Sequence, residues 1–420
     1  MVRDSLLVNN MKYQLIGYPL NYSFSPFIHK SFNSEIDYSI KALEEKDLDE
    51  FFRKKDFSGL NVTIPYKEKV IKYLDEISPI SKEIGAVNTI VNKNGLLYGY
   101  NTDYEGVKKT FELNNVKIKD KVVMILGSGG TYKTISYLCK FLKAKKIIGV
   151  SRNKKEGFIT YDEISEYKEV EILINTTPVG TYPNVFDQIV SLSSFKKLEC
   201  ILDMIYNPLQ TSLVLEGKKK KVKTINGLQV LVYQAGLAQE LFFTQKIEDN
   251  LYQKVYKDTL LECQSITLVG LPGSGKTTIG KALSSVLGYE FIDTDREIEK
   301  IEGMTISEIF ALKGEKYFRE KEEEYIKKIF LKKKVVISTG GGMIENPTIM
   351  RYLKCNTKIV WLDRNMSKEL FNGTRPKLKT KKDYIYLKKR RESLYRSNSD
   401  FKIKNEGPTE KTIERIKERL

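Results

Sequence analysis

KVVMILGSGG at 121–130 and SITLVGLPGSGKTT at 265–278 decide the architecture of this chain. In each, a short β-branched apolar run passes directly into a glycine-rich loop. Such runs read as strands buried on both faces of a parallel sheet, each ending at a turn whose backbone N–H groups can meet phosphate. Two of them predict two nucleotide-binding folds. Around the first, IIGVSR, EILINTT and CILDMIY read as further parallel strands, and LQVLVYQAGLAQELFF (228–243) carries apolar residues at helical spacing. Before it, YQLIGYP, YSIKALE, GLNVTIP and NTIVNKNGLLYGYN read as strands and hairpins, and KEKVIKYLDEIS (67–78) as a helix. Residues 246–264 are charged and helix-like. The second loop is followed by an acidic helical region at 295–330, the strand KVVIST, a triple glycine and a Lys/Arg-rich helical end.

The chain has 420 residues, 41% hydrophobic and 30% charged. At roughly 100–200 residues per domain, two or three domains are expected, and the composition excludes wholesale disorder. No apolar run of about 18 residues is present, and the opening MVRDSLLVNNMKYQL lacks the apolar stretch of a signal peptide. A cytoplasmic protein without a membrane partner is expected. The cysteines, at 139, 200, 263 and 355, form no C-x-x-C pair, which argues against a disulfide framework or structural zinc. His29 is the only histidine. Multi-histidine metal sites are thereby excluded, and acid–base work falls mostly to Lys, Asp, Glu or Tyr. The net charge of +17 is spread along the chain without a nucleic-acid-binding motif, so anionic small molecules are the expected partners and nucleic acid is not.

GSGG, Gly127 to Gly130 with Ser128, suits close approach of backbone to a pyrophosphate at a helix N-terminus. Alone it is a weak signal. The strand before it and IIGVSR about twenty residues later strengthen it. The second strand ends on Ser151 and Arg152, with Lys154 and Lys155 close by and no acid before Glu156, which favours the 2′-phosphate of NADP over NAD. GYPLNYSFSPFIHK (17–30), GLNVTIPYKE (59–68), GAVNTI (85–90), GYNTDYEG (99–106), NTTPVG (175–180), DMIYNPLQT (203–211) and GLQVLVYQA (227–235) occur in order, and together they resemble shikimate dehydrogenase over about 11–245. The resemblance implies reduction of a ketone, with Lys67 and Asp103 as the catalytic pair. It implies that Ser23, Ser25, Thr63, Asn88, Tyr206 and Gln234 hold the substrate, that Gly227 borders the cofactor, and that His29 is structural. The sequence departs from the family at Tyr22, Lys30 and Thr131. It also leaves little room between Arg152 and EILINTT for the usual helix.

GLPGSGKT at 270–277 fits G-x-x-x-x-G-K-[ST] without a mismatch. Gly273, Ser274, Gly275 and Thr278 are expected to cradle phosphates, Lys276 to reach the β and γ groups, and Thr277 to ligate Mg²⁺. FIDTD (291–295) is expected to set Asp293 and Asp295 on one side of an extended segment, the first assisting the metal and the second facing an acceptor hydroxyl. With GEKYFREKE (314–322), STGGGMI (338–344), TRPKL (374–378) and RRESLY (390–395), these are similar in order and spacing to shikimate kinase over about 264–403. The resemblance implies Arg319 and Arg391 as a carboxylate clamp, with Arg390 able to exchange roles with Arg391. It implies Gly340, Gly341 and Gly342 as a close approach to substrate, and Arg375 in a lid over ATP.

The two resemblances imply an α/β protein in three parts. Residues 1–105, completed by 227–258, form a substrate-binding domain; 106–226 form a Rossmann-like NADP-binding domain; 259–420 form a P-loop kinase domain with a central parallel sheet. NADP(H), ATP and Mg²⁺ are the implied cofactors, and 3-dehydroshikimate and shikimate the implied substrates. A quinate/shikimate dehydrogenase using NAD, fused to the same kinase, remains open, as does a regulatory protein with degenerate sites; intact Lys67, Asp103, Lys276 and Asp295 weigh against the latter.

Overall fold

In the computed structural model, residues 11–20, 23–365 and 380–420 are described. The chain forms two compact units, Met1–Tyr206 with Thr211–Leu260, and Leu261–Leu420 with Asn207–Gln210.

The first unit holds two sheets. One contains β1 (Lys12–Gly17), β2 (Asp37–Ala42), β3 (Gly59–Val62), β4 (Glu76–Ile77), β5 (Thr89–Lys93) and β6 (Leu96–Tyr100), in the order β2-β1-β3-β5-β6-β4. It is mixed: β5 runs antiparallel to β3 and β6, the other pairs parallel. The other contains β7 (Val122–Leu126), β8 (Lys146–Ser151), β9 (Phe158–Thr160), β10 (Ile172–Asn175), β11 (Cys200–Asp203) and β12 (Lys223–Asn226), all parallel, in the order β12-β11-β10-β7-β8-β9. Strand β7 is buried along its whole length. Val123 and Ile125 enter one apolar cluster, and Val122, Met124 and Leu126 the other, so its period of two serves two cores.

The second unit has one parallel sheet of β13 (Ser265–Val269), β14 (Glu290–Asp293), β15 (Val335–Ser338), β16 (Thr357–Asp363) and β17 (Phe401–Lys404), in the order β14-β15-β13-β16-β17. Ile266, Leu268, Val336, Val360 and Leu362 pack there with Ile279 and Leu283 of the helix Lys276–Leu287.

One expectation is corrected. KEKVIKYLDEIS is not an α-helix: it forms a 3₁₀ turn at Lys69–Tyr73 and then β4. The Asp75 N–H donates to the Leu97 carbonyl, and Asp75 Oδ2 accepts from the Leu97 N–H at 2.8 Å. Pairing of this segment with β6 displaces the helical alternative that its apolar spacing offers. The helix Thr102–Leu113 runs straight through the domain boundary expected at 105/106. The short stretch after Arg152 carries β9 and a 3₁₀ helix, Tyr161–Glu166, in place of an α-helix.

His29 is fully buried, stacked on Tyr38 at 3.9 Å and held by Gln239, whose Nε2 lies 3.2 Å from its Nδ1. Burial pushes its pKa down to about 3. A histidine that is neutral when folded takes up a proton on unfolding, so its contribution is complete above the unfolded value of about 6.5 and is lost as pH falls towards 3. With one histidine in the chain, about 2 kcal/mol should be lost from this source between pH 7 and pH 5. The denaturation midpoint of the first unit should fall over that interval, and His29→Gln should show a flatter profile. Parallel profiles would mean that His29 is not held neutral.

Candidate active sites

The first candidate site gathers at the glycine turn after β7. The helix Gly130–Phe141 opens on GSGG without a side-chain cap, leaving its first N–H groups free for an anion. Gly127 and Ser128 are half-buried and Gly129 is exposed. Gly130 lies beside Lys67: a Cβ placed there would sit 3.3 Å from Lys67 Cβ. Lys67 Nζ donates to Asp103 Oδ2 at 2.6 Å, and both side chains are nearly buried. Asp103 stands in the first turn of the helix Thr102–Leu113, whose N-cap, Asn101, accepts from the Tyr104 N–H. Asn101 Nδ2 also reaches Ala86 O and, at 3.1 Å, Thr134 Oγ1 of the glycine-turn helix. The lysine–aspartate pair is thus fixed against the glycine turn.

The expected substrate donors fall into two neighbouring groups. Asn88 Oδ1 accepts the Thr102 N–H at 2.7 Å, and Asn88 Nδ2 donates to Gln234 Oε1 at 3.4 Å. Ser23 and Ser25 are hydrogen-bonded at 3.0 Å, and Phe24 between them faces the Tyr206 ring at 6.2 Å. Thr63 follows β3, its N–H bonded to Ile16 O. A buried polar chain joins the two groups. Tyr38, in contact with Ser25, donates to Asn61 Oδ1 at 2.8 Å; Asn61 donates to Thr89, and Thr89 to Asn88. Sequence reasoning missed Tyr38, Asn61 and Thr89, whose only signal is polarity inside apolar strands, and Asn101, whose signal is an Asn at a helix N-cap. Gly227 precedes the helix Leu228–Phe243 and donates its N–H to Ile205 O. Ser151 is buried and donates to Asn153 O, which turns it into the loop, while Arg152 is exposed.

The second candidate site is a cavity of about 570 Å³ at the carboxyl end of β13, lined by Gly273, Lys276, Thr277, Asp293, Asp295, Arg319, Glu322, Gly340 to Gly342 and Arg391, among others. Lys276 is 9% exposed and donates to the carbonyls of Gly270 and Leu271 at 2.9 and 3.1 Å, closing its own loop. Thr277 Oγ1 donates to Asp293 Oδ2 at 2.7 Å. Ser274 is buried, Gly275 caps the helix, and Thr278 is exposed on it. Asp293 and Asp295 do not share an extended segment: Asp293 ends β14, and Asp295 is in the first turn of the helix Thr294–Glu302. The strand stops there because Thr294 Oγ1 bonds Ser338 O and the Gly340 N–H, tying the helix start to the glycine loop. Both carboxylates still line the cavity. Arg375 lies outside the described residues.

Crowding explains the triple glycine: the protein's own charges at Gly340 and Gly342, and the Pro272 ring, 3.1 Å from a Cβ, at Gly341. A Cβ at Gly340 would lie 2.4 Å from Asp295 Oδ1 and 2.7 Å from Glu322 Oε1; one at Gly342 would lie 2.4 Å from the Arg319 guanidinium. Any side chain would displace the groups that line the cavity. Arg319 is held by Glu322, Nη1 to Oε2 at 2.5 Å, and by Glu315 at 3.1 Å. Its spacing to these acids, i−4 and i+3 on one helix, is a signal that the sequence carried. Glu322 is fully buried, and burial pushes its pKa up to about 7 against the pull of Arg319. Burial, reinforced by Asp293, pushes Asp295 up to about 6. Among the described residues, Asp295 Oδ1 and Glu322 Oε1 have no hydrogen-bond partner.

Fold and sites define an α/β enzyme with two nucleotide sites, one of them beside a buried lysine–aspartate pair and the other a phosphate-binding loop facing buried carboxylates. The shikimate dehydrogenase substrate-binding domain profile matches residues 15–90, and the shikimate kinase profile matches 272–420. A shikimate dehydrogenase (NADP(+)) of Clostridium perfringens (strain SM101 / Type A) is 40% identical over 267 residues, 60% of this chain and 98% of that protein. The chain belongs to the shikimate dehydrogenase family, and it carries a shikimate kinase domain after it. Among solved structures, shikimate dehydrogenase 1 from Peptoclostridium difficile is 38% identical, with a TM-score of 0.56 over 60% of this chain and 98% of that one. A chorismate mutase/shikimate 5-dehydrogenase fusion protein from Clostridium acetobutylicum is 34% identical, with a TM-score of 0.57 over 60% and 97%. Among the described residues no helix is long and apolar enough to cross a membrane, and no group of three or more His, Cys, Asp or Glu could hold a metal ion.

Proposed function

We propose that this chain is a bifunctional enzyme of chorismate and aromatic amino-acid synthesis. It reduces 3-dehydroshikimate to shikimate with NADPH, then phosphorylates shikimate to shikimate 3-phosphate with ATP. The observation that carries the reading is the presence, in one chain, of the Lys67–Asp103 pair at a dinucleotide turn and of Lys276, Thr277, Asp293 and Asp295 around one cavity. Residues 1–105 with 227–258 hold the first substrate, 106–226 hold NADP(H), and 259–420 form the kinase.

In the reduction, bound NADPH supplies the hydride to the ketone carbon. The Lys67 ammonium gives a proton to the ketone oxygen, and solvent reprotonates the lysine. Asp103, at 2.6 Å, keeps the ammonium aimed. Ser23, Ser25, Thr63, Asn88, Tyr206 and Gln234 hold the carboxylate and the hydroxyls. In the kinase, Asp295 accepts the proton of the attacking hydroxyl, and Arg319 and Arg391 hold the carboxylate. Mg²⁺ when bound neutralises phosphate charge. The Thr277 hydroxyl and Asp293 carboxylate, already in contact, are oxygen ligands of the kind that would hold it. Arg375 would complete the ATP side. The partners are small molecules, not nucleic acid, and the protein works in the cytoplasm.

The test is one reaction containing 3-dehydroshikimate, NADPH, ATP and Mg²⁺, followed by mass. Shikimate 3-phosphate should form, and omission of ATP should halt the reaction at shikimate. No consumption of NADPH with 3-dehydroshikimate would overturn the reading. Cofactor choice is tested separately. Arg152 is exposed at the end of β8, where a 2′-phosphate would lie. Arg152→Ala should raise KM for NADPH roughly tenfold, the scale of one charge-assisted contact, and leave that for NADH nearly unchanged. Equal effects on both would remove Arg152 from phosphate recognition.

A further inference from the structure

We infer that Glu345 is a positioning residue for the kinase acceptor site, holding Arg391 where it meets the substrate carboxylate. The inference rests on the kinase reading above. Glu345 lies on the 3₁₀ turn Met343–Glu345, directly after the triple glycine. Its Oε2 accepts from Arg391 Nη2 at 3.3 Å, and its Oε1 lies 2.6 Å from Arg390 Nε. Arg391 is 3% exposed and lines the cavity; Arg390 is 54% exposed and does not. Of the adjacent arginines, the structure therefore turns Arg391 inward.

A guanidinium this deeply buried has given up its hydration and needs a counter-charge. Glu345 supplies it from the loop that forms one wall of the cavity, with Arg391 Nη1 lying towards Gly341. One carboxylate shared by two arginines leaves one positive charge uncancelled. Arg319 stands differently, between Glu315 and Glu322. Glu322, which holds Arg319, also faces Arg391, so an anionic group entering the cavity meets both arginines, and of the two it is Arg391 that shares its nearest carboxylate with a second arginine. Glu345 fixes the direction of that fork without consuming the whole of its charge.

The experiment compares shikimate with its methyl ester, which lacks the negative charge, in wild type, Glu345→Gln and Glu345→Asp. Glu345→Gln should raise KM for shikimate about tenfold, with kcat and KM for ATP within about twofold of wild type. KM for the ester should hardly move, so the preference for the acid should shrink by the same factor. Glu345→Asp, which keeps the charge, should recover part of it. Equal losses for acid and ester, an unchanged or lower KM for shikimate, or collapse of kcat in both variants would overturn the positioning role. Failure of the wild type to phosphorylate shikimate would instead overturn the kinase reading itself.

Discussion

Lys67→Ala should lower reduction of 3-dehydroshikimate by roughly 10²–10⁴-fold, the usual worth of a positioned acid–base group. The expectation follows from the geometry around it. Lys67 is paired to Asp103 at 2.6 Å in a nearly buried position, beside the helix that opens on GSGG. No histidine is available to replace it, because His29 is enclosed by Tyr38 and Gln239. Truncation also leaves Asp103 without its counter-ion, so a carboxylate would face the oxygen on which negative charge develops. The loss should therefore fall on kcat more than on KM for NADPH. Phosphorylation of supplied shikimate should stay near wild type. The measurement is NADPH oxidation under saturating substrate, with the kinase assayed on the same preparation. Undiminished reduction by the variant would remove Lys67 from the chemistry.

How much of this was legible in the sequence depends on the range of the interaction. The runs KVVMIL and SITLV were readable as parallel strands because a strand buried on both faces leaves a continuous apolar signature. The glycine loops were readable because phosphate-binding turns need those residues at those spacings. The segment at 67–78 misled because Val70, Ile71 and Leu74 satisfy a helical pattern locally. Pairing of Glu76 and Ile77 with β6, set by residues more than twenty positions away, decides the outcome. Glu315 and Glu322 stand at helical spacing from Arg319 and could have been read. Glu345, forty-six positions from Arg391, could not. The same holds for the chain from Tyr38 through Asn61 and Thr89 to Asn88, whose members occupy three different strands or their edges. Local patterns carry backbone class; partners that orient a catalytic group are brought by topology.

Asp295→Asn should reduce phosphorylation of shikimate by about 10²-fold or more while ATP still binds. Asparagine keeps the shape but loses the charge and the basic oxygen. Phosphoryl transfer otherwise depends on positioning and charge stabilisation, which Lys276, Thr277 and Asp293 retain in the variant. Burial and the neighbouring Asp293 have raised the Asp295 carboxyl to about 6, so wild-type kcat/KM for shikimate carries a pH signature. In the proposed reaction it is the ionised form that accepts the proton. Activity should be full above about pH 7 and should fall about tenfold per unit below about 6. That limb should be absent from the residual activity of the asparagine variant. In the coupled reaction the variant should accumulate shikimate, since Lys67 and Asp103 lie in the other unit and are untouched. Lys276→Ala should also stall at shikimate, but with weakened ATP binding. Normal shikimate 3-phosphate output from Asp295→Asn would remove Asp295 from the acceptor site. Loss of reduction in either variant would show that the two activities are not separable, because no residue changed there lies in the reductase unit.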